Sequence, residues 1–247
     1  MSKNTVGRHT NIEIFGNSHA GVITGAPPSG TAVKKQKEKP RGRGYTEKNP
    51  LYPFRTWFLG PVLAYNFYEH HLHKIYDHIN ENPNFFKGDV VLLLAVGEID
   101  CRVHLPKYVS NERSVEDVVN ECVTRYHRSL LHLKTKGYKV AAMGAIPSLC
   151  DETLQLKMTE HELKNDVSGN TCTRNKIVSV WDEIHSNYCK RDGIPYVSIH
   201  KNLTDEKGMT REELYCDIIH LSHEKTIDFW VSALQEAGIY QNDSGES

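Results

Sequence analysis

Short apolar runs and amphipathic stretches alternate along the chain, and that alternation defines its elements. Residues 11–15 (NIEIF) read as a first strand running into Gly16. Residues 53–59 are rich in aromatics and suit a second strand. Gly60-Pro61 then opens a helix predicted to reach about Ile79, with Pro61 in the first helical turn. Residues 89–96 (DVVLLLAV) are continuously apolar, the mark of a strand buried on both faces of a parallel sheet. Residues 114–136 have helical spacing, with Ser114 as N-cap and Val115, Val118, Val119, Cys122 and Val123 on one side. A further buried strand covers 138–145 and stops by Pro147, and residues 150–171 are polar and irregular. A helix over 173–190, a strand over 195–199 and a closing helix over 221–237 complete the series.

Strands separated by helices of this length predict an α/β protein: a parallel sheet with helices on both faces. Ligands of such sheets bind beyond the carboxyl ends of the strands. Ser18, Gly60, Gly97 and the loop after Pro147 all fall at such ends, so four loops are expected to converge on one edge. One domain over 1–240 accommodates the pattern. Within it, residues 22–50 are rich in Gly, Pro, Lys and Arg and read as a long loop or insertion. Residues 241–247 read as a disordered tail. No internal repeat is visible.

Composition narrows the function classes. Hydrophobic residues make up 38% and charged residues 25%, as in an ordinary globular chain. A net charge of −1 gives no global pull toward nucleic acid or a membrane surface. The opening MSKNTVGR has no apolar stretch behind its charges, so it is not read as a signal peptide. No run approaches the roughly 18 apolar residues of a membrane helix. Cys101, Cys122, Cys150, Cys172, Cys189 and Cys216 are scattered without a CxxC pair. The expectation is a cytoplasmic protein with reduced thiols.

The candidate chemistry lies at the two ends of the chain. Ser18 follows the first strand in Gly16-Asn17-Ser18-His19, a tight turn that presents a hydroxyl. About 200 residues later, Asp217-Ile218-Ile219-His220 supplies a carboxylate and an imidazole three positions apart. Nucleophile, base and orienting acid are the three parts that make a serine hydroxyl reactive near neutral pH.

On these residues the chain resembles the SGNH (GDSL-like) hydrolases. Gly16-Asn17-Ser18 stands where that family has Gly-Asp-Ser, and Gly60 matches the glycine whose N–H joins the oxyanion hole. Gly97-Glu98-Ile99-Asp100 stands for Gly-x-Asn-Asp, and Asp217-Ile218-Ile219-His220 for Asp-x-x-His. The resemblance implies a flavodoxin-like three-layer α/β/α sandwich and a Ser18–His220–Asp217 triad. The N–H groups of Ser18 and Gly60 would form the oxyanion hole, with donors worth roughly 3–4 kcal/mol each. It implies no metal and no organic cofactor. Two departures stand out: Asn17 replaces an aspartate, and Ile99 replaces the oxyanion asparagine with a side chain that cannot donate. Arg102, five residues beyond Gly97, is the expected substitute donor. The string GEIDCR is similar to one in superfamily members linked to polysaccharide modification, which would make Glu98 and Arg102, together with His19, substrate-binding residues; a structural ion-pair cluster of Glu98, Asp100 and Arg102 closing the loop is the alternative reading.

Two other features invite a functional reading. His70, His71, His73 and His78 lack a carboxylate or cysteine set to complete a zinc site and read as a solvated helix face. Residues 34–44 carry six positive charges and one negative, enough to contact a phosphate or another anion, although basic loops are more often simply solvated. The expected activity is removal of an acyl group, acetyl first, from a glycan or other small hydroxyl-bearing ester. A catalytically weak module binding a sugar or anion, an acyltransferase using the same serine, and nucleic-acid binding by the basic loop are the alternatives.

Overall fold

A computed structural model describes residues 10–25, 46–49 and 51–241. The predicted basic loop at 34–43 and all but the first residue of the predicted tail lie outside the described residues.

Five strands run parallel: β1 (Asn11–Gly16), β3 (Phe54–Phe58), β4 (Val90–Ala95), β5 (Lys139–Met143) and β6 (Tyr196–Val197). A three-residue strand, β2 (Thr46–Lys48), pairs antiparallel with β3 at the edge. The order is β2-β3-β1-β4-β5-β6. Without the edge strand this is the flavodoxin-like order, in which the chain first steps one way from β1 and then crosses to its other side. The crossing point is the carboxyl end of β1 and β4, in register from Asn11↔Val90 to Gly16↔Ala95.

Side-chain alternation on the strands divides the core in two. Phe15, Leu92 and Leu94 point to one face and pack with α4 (Val115–Thr135) and α7 (Thr171–Arg191), around Tyr126 and Trp181. Ile12, Ile14, Val91 and Leu93 point to the other, against α1 (Ala20–Thr24) and α9 (His223–Glu236) with Trp230. Burial on both faces is why 89–96 reads as an unbroken apolar run. Gly16 is required where β1 meets β4, since a Cβ there would collide with the Ala95 carbonyl oxygen.

Several elements differ from the sequence reading. Gly60-Pro61 opens no helix. The chain stays irregular until α2 (Phe67–His70) and α3 (Leu72–Glu81), because the backbone at 64–65 is drawn into a side-chain contact described below. Residues 22–24 are helical and 46–48 form a strand, so neither belongs to the expected loop. The polar stretch 150–171 contains α5 (Asp151–Lys157) and α6 (Glu160–Asp166), the latter started by a Thr159/Glu162 capping box. A short α8 (His200–Leu203) follows β6, and α9 begins at His223 rather than 221. The predicted Ser114 cap stands: its hydroxyl accepts from the Asp117 N–H at 3.1 Å and Asp117 returns the bond. Such caps contribute about 1 kcal/mol.

Among the described residues no helix is long and apolar enough to cross a membrane. All six cysteines are free thiols. His70 and His73 are exposed as expected, but His71 and His78 are not fully solvated: His78 tilts against Trp57 at 5.2 Å.

Candidate functional site

Four loops meet at the carboxyl edge of the sheet. The first is the turn after β1, where the Asn17 side chain accepts from the His19 N–H at 3.0 Å and the Ser18 carbonyl accepts from Gly21. These bonds lead straight into α1 and leave the Ser18 side chain partly open to solvent. His223, at the start of α9, accepts nothing from α1: its ring Nδ1–H donates to the Val22 carbonyl at 2.7 Å. That bond ties the two ends of the chain together.

The second loop carries Asp217 and His220, the expected acid and base. Tyr215 and Leu221 form an antiparallel bridge, and Cys216 N–H donates to the His220 carbonyl, closing a tight loop around residues 217–220. Inside it, Asp217 Oδ1 accepts the N–H groups of Ile219 (2.7 Å) and His220 (2.6 Å), while Oδ2 lies 2.8 Å from His220 Nδ1. On the opposite side of the ring, His220 Nε2 lies 2.7 Å from Ser18 Oγ, across 202 residues of sequence. Burial opposes ionisation of Asp217, but the His220 ring and the two backbone donors overcome it and hold the carboxyl down at about 2. An ionised Asp217 accepts from Nδ1–H, so the bare nitrogen of a neutral His220 is Nε2, the one that faces the hydroxyl. The sequence places Ser18, Asp217 and His220 together, and so does the structure.

Third comes the turn after β4. Gly97 has φ +122°, and a Cβ there would stand 2.6 Å from the Trp181 ring. The chain then enters a helical segment with a π-helical turn at Asp100–His104. Glu98 and Arg102, four residues apart, form an ion pair at 2.5 Å. Asp100, fully buried, accepts the N–H groups of Ala64 (2.7 Å) and Tyr65 (3.2 Å). It thereby fixes the fourth loop, which follows β3 and carries Gly60. Desolvation raises Asp100 to about 6, and the two backbone donors only partly offset it.

Among the described residues no hydrogen bond uses the backbone N–H of Ser18 or of Gly60, so both expected oxyanion donors are free of protein partners. The position of the third donor is held by Ile99. Arg102 does not replace it. Its Nε goes to Glu98, another guanidinium N–H goes to the Asp166 carbonyl, and the residue is only 8% exposed.

Glu98, Arg102 and His19 were expected to contact substrate, yet each is buried and turned to protein partners. His19 Nε2–H donates to the Ile219 carbonyl at 3.0 Å. Its Nδ1 stands 3.4 Å from a Glu98 carboxylate oxygen without hydrogen bonding to it. The His19 ring lies 4.9 Å from the His220 ring. Burial lowers the His19 pKa, with Glu98 opposing and His220 assisting. Burial pushes Glu98 up, but Arg102 and His19 outweigh it and the net shift is downward. The chain Arg102–Glu98–His19 therefore supports the base loop from beneath.

The loop after β5 locks this arrangement to the rest of the fold. Tyr215 O–H donates to the Pro147 carbonyl, and the Cys150 N–H donates to Glu212 at 3.0 Å. Fully buried Arg174 ties Ser148, Leu149, Asp151 and Gly169 together. Arg174 carries no motif that marks it in one sequence; Asp100 closes the Gly97–Asp100 block, but only the fold shows what either residue holds.

No family model and no curated protein sequence matches the chain. Solved structures do. A Bacteroides fragilis protein assigned as an acylhydrolase is 14% identical, with a TM-score of 0.53 over 96% of this chain and 88% of its own. A GDSL-like lipase from Bacteroides thetaiotaomicron is 12% identical, with a TM-score of 0.52 over 92% of this chain and 87% of its own. At such identities the likeness is one of fold. Together with the strand order and the loops converging on one edge, it establishes a three-layer α/β/α fold with a flavodoxin-like parallel sheet, shared with these structures.

Proposed function

We propose that the protein is a serine acyl hydrolase whose nucleophile is Ser18. The observation that carries this reading is the continuous path Ser18 Oγ–His220–Asp217, with bonds of 2.7 and 2.8 Å. Ser18 Oγ attacks an ester carbonyl as Nε2 takes its proton, and Asp217 stabilises the imidazolium. The N–H groups of Ser18 and Gly60 receive the oxyanion. Collapse of the tetrahedral adduct expels the alcohol, which takes the proton back from His220. Water then repeats the sequence on the acyl-serine, releasing a carboxylic acid and the free hydroxyl. The acyl group we put forward is acetyl and the alcohol a glycan or other polyol, as the resemblance implies. The test is p-nitrophenyl acetate turnover with labelling by a fluorophosphonate. Wild type should turn over and label, and Ser18→Ala should do neither. Equal turnover by both would remove the nucleophile.

Ile99 favours a second reading, a module that binds an acylated or hydroxyl-rich ligand and hydrolyses slowly, since one oxyanion donor is missing. Saturable glycan binding without turnover across a panel of acyl esters would select it.

A further inference from the structure

Behind the sheet, on the face away from Ser18's α1, three potential ligands converge between α4 and α7. His185 and Cys189 stand four residues apart on α7, one helical turn on the same face. His127 faces them from α4. One ligand atom from each lies within 4.8 Å of the other two, and all three residues are buried (His127 2%, His185 0%, Cys189 0% exposed). None belongs to the site described above.

The hydrogen bonding of this cluster is incomplete. Both ring nitrogens of His185 and Nδ1 of His127 are buried with no partner. Buried polar atoms are nearly always satisfied, so these orphaned ring nitrogens beside a buried thiol require an explanation. His127 supplies a second observation. Its Nε2 lies 2.8 Å from the Asp192 carboxylate, which fixes the proton on Nε2 and leaves Nδ1 as the lone-pair donor. Asp192 is itself held by Arg191 at 2.6 Å. A carboxylate behind an imidazole is the usual outer support of a metal-ligating histidine. Rings of Tyr126, Trp181 and Tyr196 surround His185 at 5.2–5.8 Å and offer it no hydrogen-bond acceptor.

We propose that His127 Nδ1, one ring nitrogen of His185 and the Cys189 thiolate bind a Zn2+ ion that staples α4 to α7. Two imidazoles and a thiolate suit this borderline-soft cation, and water completes a four-coordinate shell. Binding releases the Cys189 thiol proton to solvent, with no change in oxidation state. Enclosure of the ligands makes the ion structural, acquired as the helices close on one another. Sequence spacing hides the site, because His127 lies on a different helix from His185 and Cys189.

The probe is Co2+ as a coloured stand-in for Zn2+, in a background where the less buried Cys150, Cys172 and Cys216 are changed to Ser. The full chain, refolded with Co2+ and dialysed, should retain one equivalent. It should show a near-ultraviolet thiolate-to-cobalt band and tetrahedral visible bands, which equimolar Zn2+ bleaches. Cys189→Ala, checked for the parent's far-ultraviolet circular dichroism, should lose the near-ultraviolet band and the metal-dependent rise in Tm. His185→Phe, which fits the aromatic surround, should lose the metal. Retention of less than a tenth of an equivalent by the parent, or a band that survives in Cys189→Ala, would overturn the site.

Discussion

On the proposed function, Asp217→Asn separates the catalytic from the structural work of one carboxylate. Asparagine keeps an oxygen in the place of Oδ1, so the N–H bonds from Ile219 (2.7 Å) and His220 (2.6 Å) persist and the loop survives. The amide NH2 then falls at Oδ2, 2.8 Å from His220 Nδ1, where it can only donate. His220 must offer a lone pair at Nδ1 and carry its proton on Nε2, facing Ser18 with the wrong tautomer. Lowering of the Asp217 carboxyl from 3.8 to about 2 corresponds to at most about 2.5 kcal/mol of stability. With the side chain 40% exposed, solvent screening reduces this to about 1 kcal/mol. Catalysis should fall far more. The same substitution in a serine protease triad costs about 10⁴ in kcat, or roughly 5.5 kcal/mol in the barrier. Urea denaturation and p-nitrophenyl acetate kinetics measure the two effects, and nitrogen-15 shifts of the His220 ring report the tautomer directly. A variant within tenfold of wild-type kcat, or a His220 ring with unchanged tautomer, would refute the reasoning.

Other expectations follow from single contacts. Glu98→Ala leaves Arg102 as a buried cation with only a carbonyl partner and should cost about 3–5 kcal/mol in urea denaturation; a loss under 1 kcal/mol would remove the ion pair from the account of the base loop. Asp100 has a folded-state pKa of about 6 against 3.8 unfolded, so its contribution is most favourable below pH 4 and is lost as pH rises through 6. Relative to Asp100→Asn, wild type should therefore gain up to about 3 kcal/mol between pH 7 and pH 4, and parallel stability curves would contradict this. Gly16→Ala should destabilise by about 3 kcal/mol or more, because the atom it strikes is backbone of the neighbouring strand. A Tm within 2 °C of wild type would show that β1 and β4 have more room than the contact implies.

What the sequence reveals is whatever repeats or is local. Leu92 to Leu94 announce a doubly buried strand, Ser114 with Asp117 announces a helix start, and the Asp217–His220 spacing fits within one loop. Contacts between distant segments leave no such trace. Asp100 reaching back to Ala64 and Tyr65 converts the expected helix after Pro61 into an irregular stretch. Tertiary capture of two N–H groups overrode a local preference worth tenths of a kcal/mol per residue. The same limit left Glu98 and Arg102 open between substrate binding and a structural ion pair, and set His19 with the substrate. Only the three-dimensional arrangement shows all three buried, with Glu98 paired to Arg102 and His19 beside them.

The bond between His223 and Val22 has a consequence for how function is lost on heating. Hydroxyl and imidazole arrive from opposite ends of the chain and meet only while the last helix stays seated on the first. Terminal helices tend to loosen at lower free-energy cost than central strands. Reactivity toward a fluorophosphonate should therefore fade several degrees before circular dichroism registers any melting, making the nucleophile a built-in reporter of carboxyl-terminal docking.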